Sequence, residues 1–234
     1  NIEFQLSFIN GADIILMPEM FNTAFCPTHN YLAESMSGDT IKWMLKIAKE
    51  KKSAISGTLM IKEGEKIFNR LVWISKKGKI YTYDKRHLFS LINEEKYFCK
   101  GDKRLIVEID GWKICPLICY DLRFPVFSRN NIEYDVLIYL ANWPVKRIDA
   151  WDALLKARAI ENQAYTIGVN RVGKDGNEVL FNGHSKVFDA FGAEILSSNE
   201  NKQEVLACDI SLEDLRLKRR QMNFLKDRDN FKLL

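Results

Sequence analysis

A chain of 234 residues with 47% apolar and 28% charged residues is long enough to bury a sizeable core, and its composition is neither that of a disordered segment nor that of a membrane protein. The net charge of +4 comes from 35 basic against 31 acidic residues spread thinly apart from Lys218-Arg219-Arg220, which argues against nucleic acid as a partner. No apolar run reaches the length of a bilayer-spanning helix and no signal-peptide pattern is present; Cys26, Cys99, Cys115, Cys119 and Cys208, without a CxxC pair, point to reduced thiols in the cytosol rather than to disulfides or zinc.

Asn1 to Ile9 reads as the end of a helix, stopped by Asn10-Gly11. Asp13 to Met17 is a buried strand closed by Pro18-Glu19, and a carboxylate directly after an apolar run needs a reason; the bland alternative is a solvated loop Glu. Thr40 to Lys49 has Ile41, Met44, Leu45 and Ala48 at helical spacing, and Ser53 to Ile61 with Asn69 to Ser75 forms two strands joined by a charged turn. Ile80 to Lys85 is the next strand, and its alternation puts Tyr81, Tyr83, Lys85 and His87 on one face while the backbone stays extended. A lysine in that place ordinarily snorkels to the surface, and a lone histidine is ordinarily satisfied by hydrogen bonds. Glu94-Glu95 precedes a turn at Gly101-Asp102 and, taken alone, is a solvated charge pair.

Arg104 to Ile109, the turn Asp110-Gly111 and the run from Trp112 to Ile118 form a hairpin whose second strand breaks at Cys119-Tyr120-Asp121. A thiol at that break is lifted clear of the sheet, with the following backbone N–H groups facing an incoming carbonyl; otherwise Cys119 is a buried small hydrophobe, as Cys115 is. Phe124 to Asn130 continues as a short helix, with Pro125 tolerated near its start. Val136 to Leu140 is a fully apolar strand ending in Ala141-Asn142-Trp143-Pro144, and Asp149 to Asn162 is a helix with Trp151, Leu154, Leu155 and Ala159 inward and charges outward. Tyr165 to Asn170, Ser185 to Asp189, Glu194 to Leu196 and Glu204 to Ile210 are predicted strands, and Ser211 caps a last helix. With no internal repeat or linker, residues 1–234 read as one α/β domain, two sheets with helices outside them.

Glu19, Lys85 and Cys119 each follow an apolar strand, and neighbouring strands of a sheet bring such ends together. The carboxylate removes the thiol proton as attack begins, and the ammonium hydrogen-bonds the oxyanion formed when sulfur adds to a C=O or C≡N carbon. Neither role requires a metal or cofactor.

Leu16-Met17-Pro18-Glu19-Met20-Phe21, Tyr83-Asp84-Lys85-Arg86-His87-Leu88-Phe89 and Ile118-Cys119-Tyr120-Asp121-Leu122-Arg123-Phe124-Pro125 resemble the three signature blocks of the nitrilase superfamily of carbon-nitrogen hydrolases, and the resemblance is strongest to its bacterial omega-amidase group. Ala141 to Pro144 and Ala157 to Tyr165 extend it over essentially the whole chain. The resemblance implies a four-layer αββα sandwich, a Glu-Lys-Cys triad of Glu19 (base), Lys85 (oxyanion partner) and Cys119 (nucleophile), a thioester intermediate, and homodimers. It implies a second glutamate on the substrate side, at Glu94 rather than Glu95, and dimerisation through the helix opening at Leu122 and the helix Asp149 to Asn162. It also implies a first strand ahead of Asn1, so the given sequence is expected to omit an N-terminal segment.

For the substrate, Arg147 is placed to grip an acidic end with two parallel hydrogen bonds, while Tyr120, Trp143 and Phe25 or Phe21 wall a narrow slot. The resemblance then implies hydrolysis of 2-oxoglutaramate or 2-oxosuccinamate to the 2-oxo diacid and ammonia. Four alternatives stay open. They are another amidase of the superfamily with a different acyl group, a carbamoylase, a Cys-His hydrolase using Cys119 with His87 or His184, and a non-catalytic binding protein on the same fold.

Overall fold

The computed structural model describes residues 2–233, so Asn1, the first residue of the predicted opening helix, lies outside the described residues. Helix α1 (Ile2–Ser7) leads into strand β1 (Ile14–Leu16), helix α2 (Asp39–Lys51) and strands β2 (Ala54–Glu63), β3 (Lys66–Ile74) and β4 (Ile80–Asp84), which form one sheet in the order β1-β2-β3-β4. Strands β5 (Val107–Ile109), β6 (Trp112–Ile118), β7 (Val136–Ala141) and β8 (Tyr165–Asn170) belong to the second sheet. They are interleaved with helices α3 (Pro125–Ser128) and α4 (Ile148–Asn162). A separate hairpin of β9 (Val172–Lys174) and β10 (Leu180–Asn182) follows, then β11 (Lys186–Phe188), β12 (Glu194–Ser197) and helix α5 (Leu212–Gln221). The second sheet runs β12-β11-β8-β7-β6-β5, with β6, β7 and β8 parallel to one another and the other pairings antiparallel.

The pleat of β3 shows how the layers stack. Leu71 and Trp73 join the core shared with β6 and β7 of the second sheet, while Val72 and Ile74 join Ile41, Met44 and Ala48 of α2. On the far side, Trp151, Leu155 and Ala159 seat α4 on the second sheet. The approach is close enough that a Cβ on Gly168 of β8 would lie 2.4 Å from the Leu155 side chain. Helix, sheet, sheet, helix is the αββα sandwich, and each large apolar side chain fully buried between the sheets contributes about 1.5–3 kcal/mol of transfer free energy.

Several sequence expectations change. Glu204 to Ile210 is not a strand: no backbone hydrogen bond ties it to a described strand, and a ladder needs a partner. Only Val107–Ile109 of the segment from Arg104 pairs, the helix after Phe124 is a single turn, and the β9–β10 hairpin was not anticipated. Arg158 breaks the charges-outward pattern of α4, since it is 3% exposed and donates to the Leu122 carbonyl at 2.6 Å.

Candidate active site

Glu19 arrives from β1. The Met17 N–H still follows β2, donating to the Ser56 carbonyl at 2.8 Å; Pro18 then ends the pairing, and Met20 turns back at φ +44° with its N–H on Thr58 Oγ1 at 2.8 Å. Lys85 sits at the end of β4. Its N–H donates to the Asn69 carbonyl and its carbonyl accepts from Gly101 N, both at 3.0 Å, in a contact so close that a Cβ on Gly101 would fall 2.2 Å from the Asp84 carbonyl oxygen. Glu94 lies in a 3-10 turn behind Asn93 at φ +56°, and Cys119 stands at the end of β6 at φ +39°, a left-handed conformation that costs a non-glycine residue strain and marks a sharp elbow.

These four side chains meet in the buried interior. Lys85 Nζ donates to Glu19 Oε1 at 3.0 Å and to both oxygens of Glu94 at 3.1 and 3.0 Å, and all three groups are at most 1% exposed. Asn69 Nδ2 donates to Glu19 Oε1 at 2.8 Å, the Asn142 N–H donates to Glu19 Oε2 at 2.9 Å, and the Phe89 N–H donates to Glu94 Oε2 at 2.5 Å. The Cys119 thiol faces the Asn142 carbonyl at 3.8 Å. Glu95 is at the surface.

Burial would lower the pKa of Lys85, but Glu19 and Glu94 hold it above the usual lysine value, so the ammonium stays charged. Burial raises Glu94 against the pull of Lys85. For Cys119, burial first and the Glu19 charge second push the thiol far above its ordinary range, outweighing Lys85. A thiol held protonated in this way attacks only if a base removes its proton in the same step. No imidazole among the described residues hydrogen-bonds Cys119: His87 pairs with Asp121 at 2.7 Å, and His184 lies between Asp152 and Glu200 at 2.9 and 2.7 Å.

Around this centre is an aromatic rim. Phe25 places its ring 5.3 Å from Lys85 Nζ, and Tyr120 packs edge-on against Phe89 and Phe124 at 4.8 and 5.1 Å. Phe21 turns instead to the α2 side, its ring 5.9 Å from Trp43. Trp143 is buried, donating from Nε1 to the Arg147 carbonyl at 2.8 Å. The Arg147 guanidinium lies 5.0 Å over Phe89, and a second guanidinium, Arg123, lies 5.0 Å over Trp143. Neither meets an acid among the described residues. Burial lowers the pKa of Arg147, Cys119 opposes this, and Arg123 adds to the lowering. Arg123 and Asn69 escaped the sequence reading. The repeated pattern of a polar group at a strand end marked Asn142, but nothing local distinguished Arg123 from a solvated turn residue.

A buried thiol, carboxylate and ammonium thus lie together at the strand ends of an αββα sandwich. The carbon-nitrogen hydrolase profile matches residues 5–220, and the chain belongs to that family, within the nitrilase superfamily. It is 40% identical over 230 residues to the omega-amidase YafV of Escherichia coli K12, covering 98% of this chain and 89% of that protein. With the 2-oxoglutaramate amidase of Bacillus subtilis it shares 32% identity over 208 residues, 87% of this chain and 80% of the relative. The crystal structure of XC1258 from Xanthomonas campestris, a CN-hydrolase superfamily protein with an arsenic adduct in its active site, superposes with a TM-score of 0.97 at 38% identity, covering 100% of this chain and 91% of the other. The chain is thus an amidohydrolase-type member related to the omega-amidases.

Proposed function

We propose that this protein hydrolyses the terminal amide of a small carboxylate-bearing amide, with 2-oxoglutaramate or 2-oxosuccinamate as substrate, through a Cys119 thioester. The observation that carries the reading is the Lys85 ammonium buried between Glu19 and Glu94, next to a thiol held protonated. Glu19 takes the Cys119 proton as sulfur adds to the amide carbon, and Lys85 donates a hydrogen bond to the oxyanion. The C–N bond breaks as the nitrogen receives the proton from Glu19, so ammonia leaves and a thioester remains. Water then attacks with Glu19 as base, the C–S bond breaks, and the proton returns to sulfur with release of the acid. Glu94 holds Lys85 and accepts a hydrogen bond from the substrate NH2. Arg147 binds the distal carboxylate, with Arg123 adding positive charge, and Tyr120, Phe25 and Trp143 shape the slot.

Residues 1–234 act in this reading as one catalytic domain in the cytoplasm, a reducing compartment that suits five cysteines with no disulfide among them. The same reading gives a homodimer joined through the turn after Leu122 and through α4, where Val126 of α3 and Ile160 of α4 are 56% and 42% exposed. Light scattering at micromolar concentration reads the dimer mass. A side-by-side assay of 2-oxoglutaramate, hexanamide and a simple nitrile tests the substrate. The acidic amide is expected to be turned over best, and equal or better turnover of the uncharged compounds would overturn the carboxylate-reading site.

A further inference from the structure

The stretch around Cys119 holds a second acid, Asp121, that the reaction above does not use. Its side chain is fully buried, a costly place for a carboxylate unless every lone pair is met. Oδ2 accepts the Ile118 N–H at 3.0 Å and the Tyr83 hydroxyl at 2.7 Å; Oδ1 accepts the His87 N–H at 3.1 Å and pairs with His87 Nδ1 at 2.7 Å. One of these donors belongs to the residue just before Cys119. The others belong to Tyr83 and His87, two residues to either side of Lys85. A single carboxylate therefore ties the strained elbow of the thiol to both flanks of the lysine.

The partners are themselves fixed. The His87 ring stacks on Phe124 with centroids 3.8 Å apart and planes 6° apart, and the Tyr83 hydroxyl accepts the Arg86 N–H at 3.1 Å. Apolar side chains of similar volume would fill this position without the desolvation cost. What they would not do is hold two backbone segments from different sheets at one separation.

We propose that Asp121 is a positioning residue: it clamps the Cys119 elbow to the end of β4 and so sets the distance between the attacking sulfur and the Lys85 ammonium that receives the oxyanion. The inference rests on Cys119 and Lys85 being the reacting pair. An active Cys119→Ala variant would remove that premise without bearing on the clamp geometry, so the two failures are distinguishable.

The test is kcat per active site, with sites counted as folded protein by size-exclusion chromatography and near-UV circular dichroism. A merely structural role lowers the number of sites and leaves per-site kcat unchanged. Asp121→Asn puts an NH2 where two donors now point, and a displacement on the order of 1 Å is expected to lower per-site kcat by about 10- to 100-fold with KM little changed. Tyr83→Phe removes one donor without stranding a charge and keeps the ring in the core; about a 3- to 10-fold fall in per-site kcat is expected, by the same positional argument. Per-site kcat within about twofold of the parent in Asp121→Asn, or in Tyr83→Phe where the first variant does not fold, would overturn the proposal.

Discussion

The buried centre and the rim above it treat charge in opposite ways. At the centre Lys85 is enclosed by two carboxylates, and each carboxylate is further tied to an amide donor, so the charges are locked before a substrate arrives. At the rim, Arg123 and Arg147 rest on aromatic rings and meet no acid among the described residues. A closed network suits chemistry, because dipoles already in place need no reorganisation as charge develops; an open pair of cations suits recognition, because the missing anion arrives with the ligand. The difference predicts that changes at the centre act on kcat and changes at the rim act on KM and substrate choice.

The largest effect is expected from Cys119→Ala. The side chain is small and lies against the inter-sheet core, so its loss leaves fold and melting behaviour close to the parent while turnover is abolished. Mass spectrometry of enzyme quenched during turnover should show an acyl adduct on the peptide containing Cys119, and a persistent absence of that adduct would place the nucleophile elsewhere. Next comes Glu19→Gln, which keeps the hydrogen bond from Asn69 but removes the base, at a cost on the order of 100-fold or more in kcat. Glu94→Gln should cost less, through a loosened Lys85, and Glu95→Gln should cost nothing because Glu95 is at the surface. A harmless Glu94→Gln beside a crippling Glu95→Gln would reverse that assignment.

At the rim, Arg147→Ala should lower kcat/KM for carboxylate-bearing amides by roughly 10- to 100-fold, the worth of a charge-assisted hydrogen bond, and leave hexanamide unaffected. An equal loss for both compounds would mean that Arg147 supports the structure of the rim rather than reading the substrate.

The same two regions differ in how much of them the sequence revealed. Glu19, Lys85 and Cys119 stood out because each polar group follows an apolar run, and such a run must be a buried strand whose next residue is held near the core. The Asp110-Gly111 turn was legible for a similar reason: both residues adopt positive φ, at +46° and +87°, and Asp-Gly is the dipeptide that tolerates this in a tight hairpin. Arg123 was not legible. A basic residue in a turn looks solvated until the fold shows it lying over the Trp143 ring. Glu204 to Ile210 failed in the opposite sense, since an apolar run shows that a segment could join a sheet but not whether a neighbouring strand is there to pair.

The smallest expected effect concerns what supports the rim from behind. Asn170 accepts the Trp143 N–H on Oδ1 at 2.7 Å and donates from Nδ2 to the Gly183 carbonyl at 2.7 Å, and the next residue, His184, is clamped between Asp152 and Glu200. Asp152 also pairs with Lys186 at 3.1 Å, and Lys186 with Glu194 at the same distance. Burial opposes the imidazolium, but the bonds to Glu200 and Asp152 prevail and hold the pKa of His184 above its ordinary value. A pKa raised in the folded state contributes stability that is fully present below the unfolded value, about 6.5, and is lost as pH rises through the folded value. The unfolding midpoint of the parent should therefore fall across that window relative to His184→Gln, in which the clamp no longer titrates. Because Lys85 and Cys119 are held far from neutral pH, the difference should appear in stability and not in kcat. Parallel midpoints for parent and variant from pH 6, just below the unfolded value of about 6.5, to pH 9, about 2.5 units above it, would show that the clamp adds no pH-dependent stability.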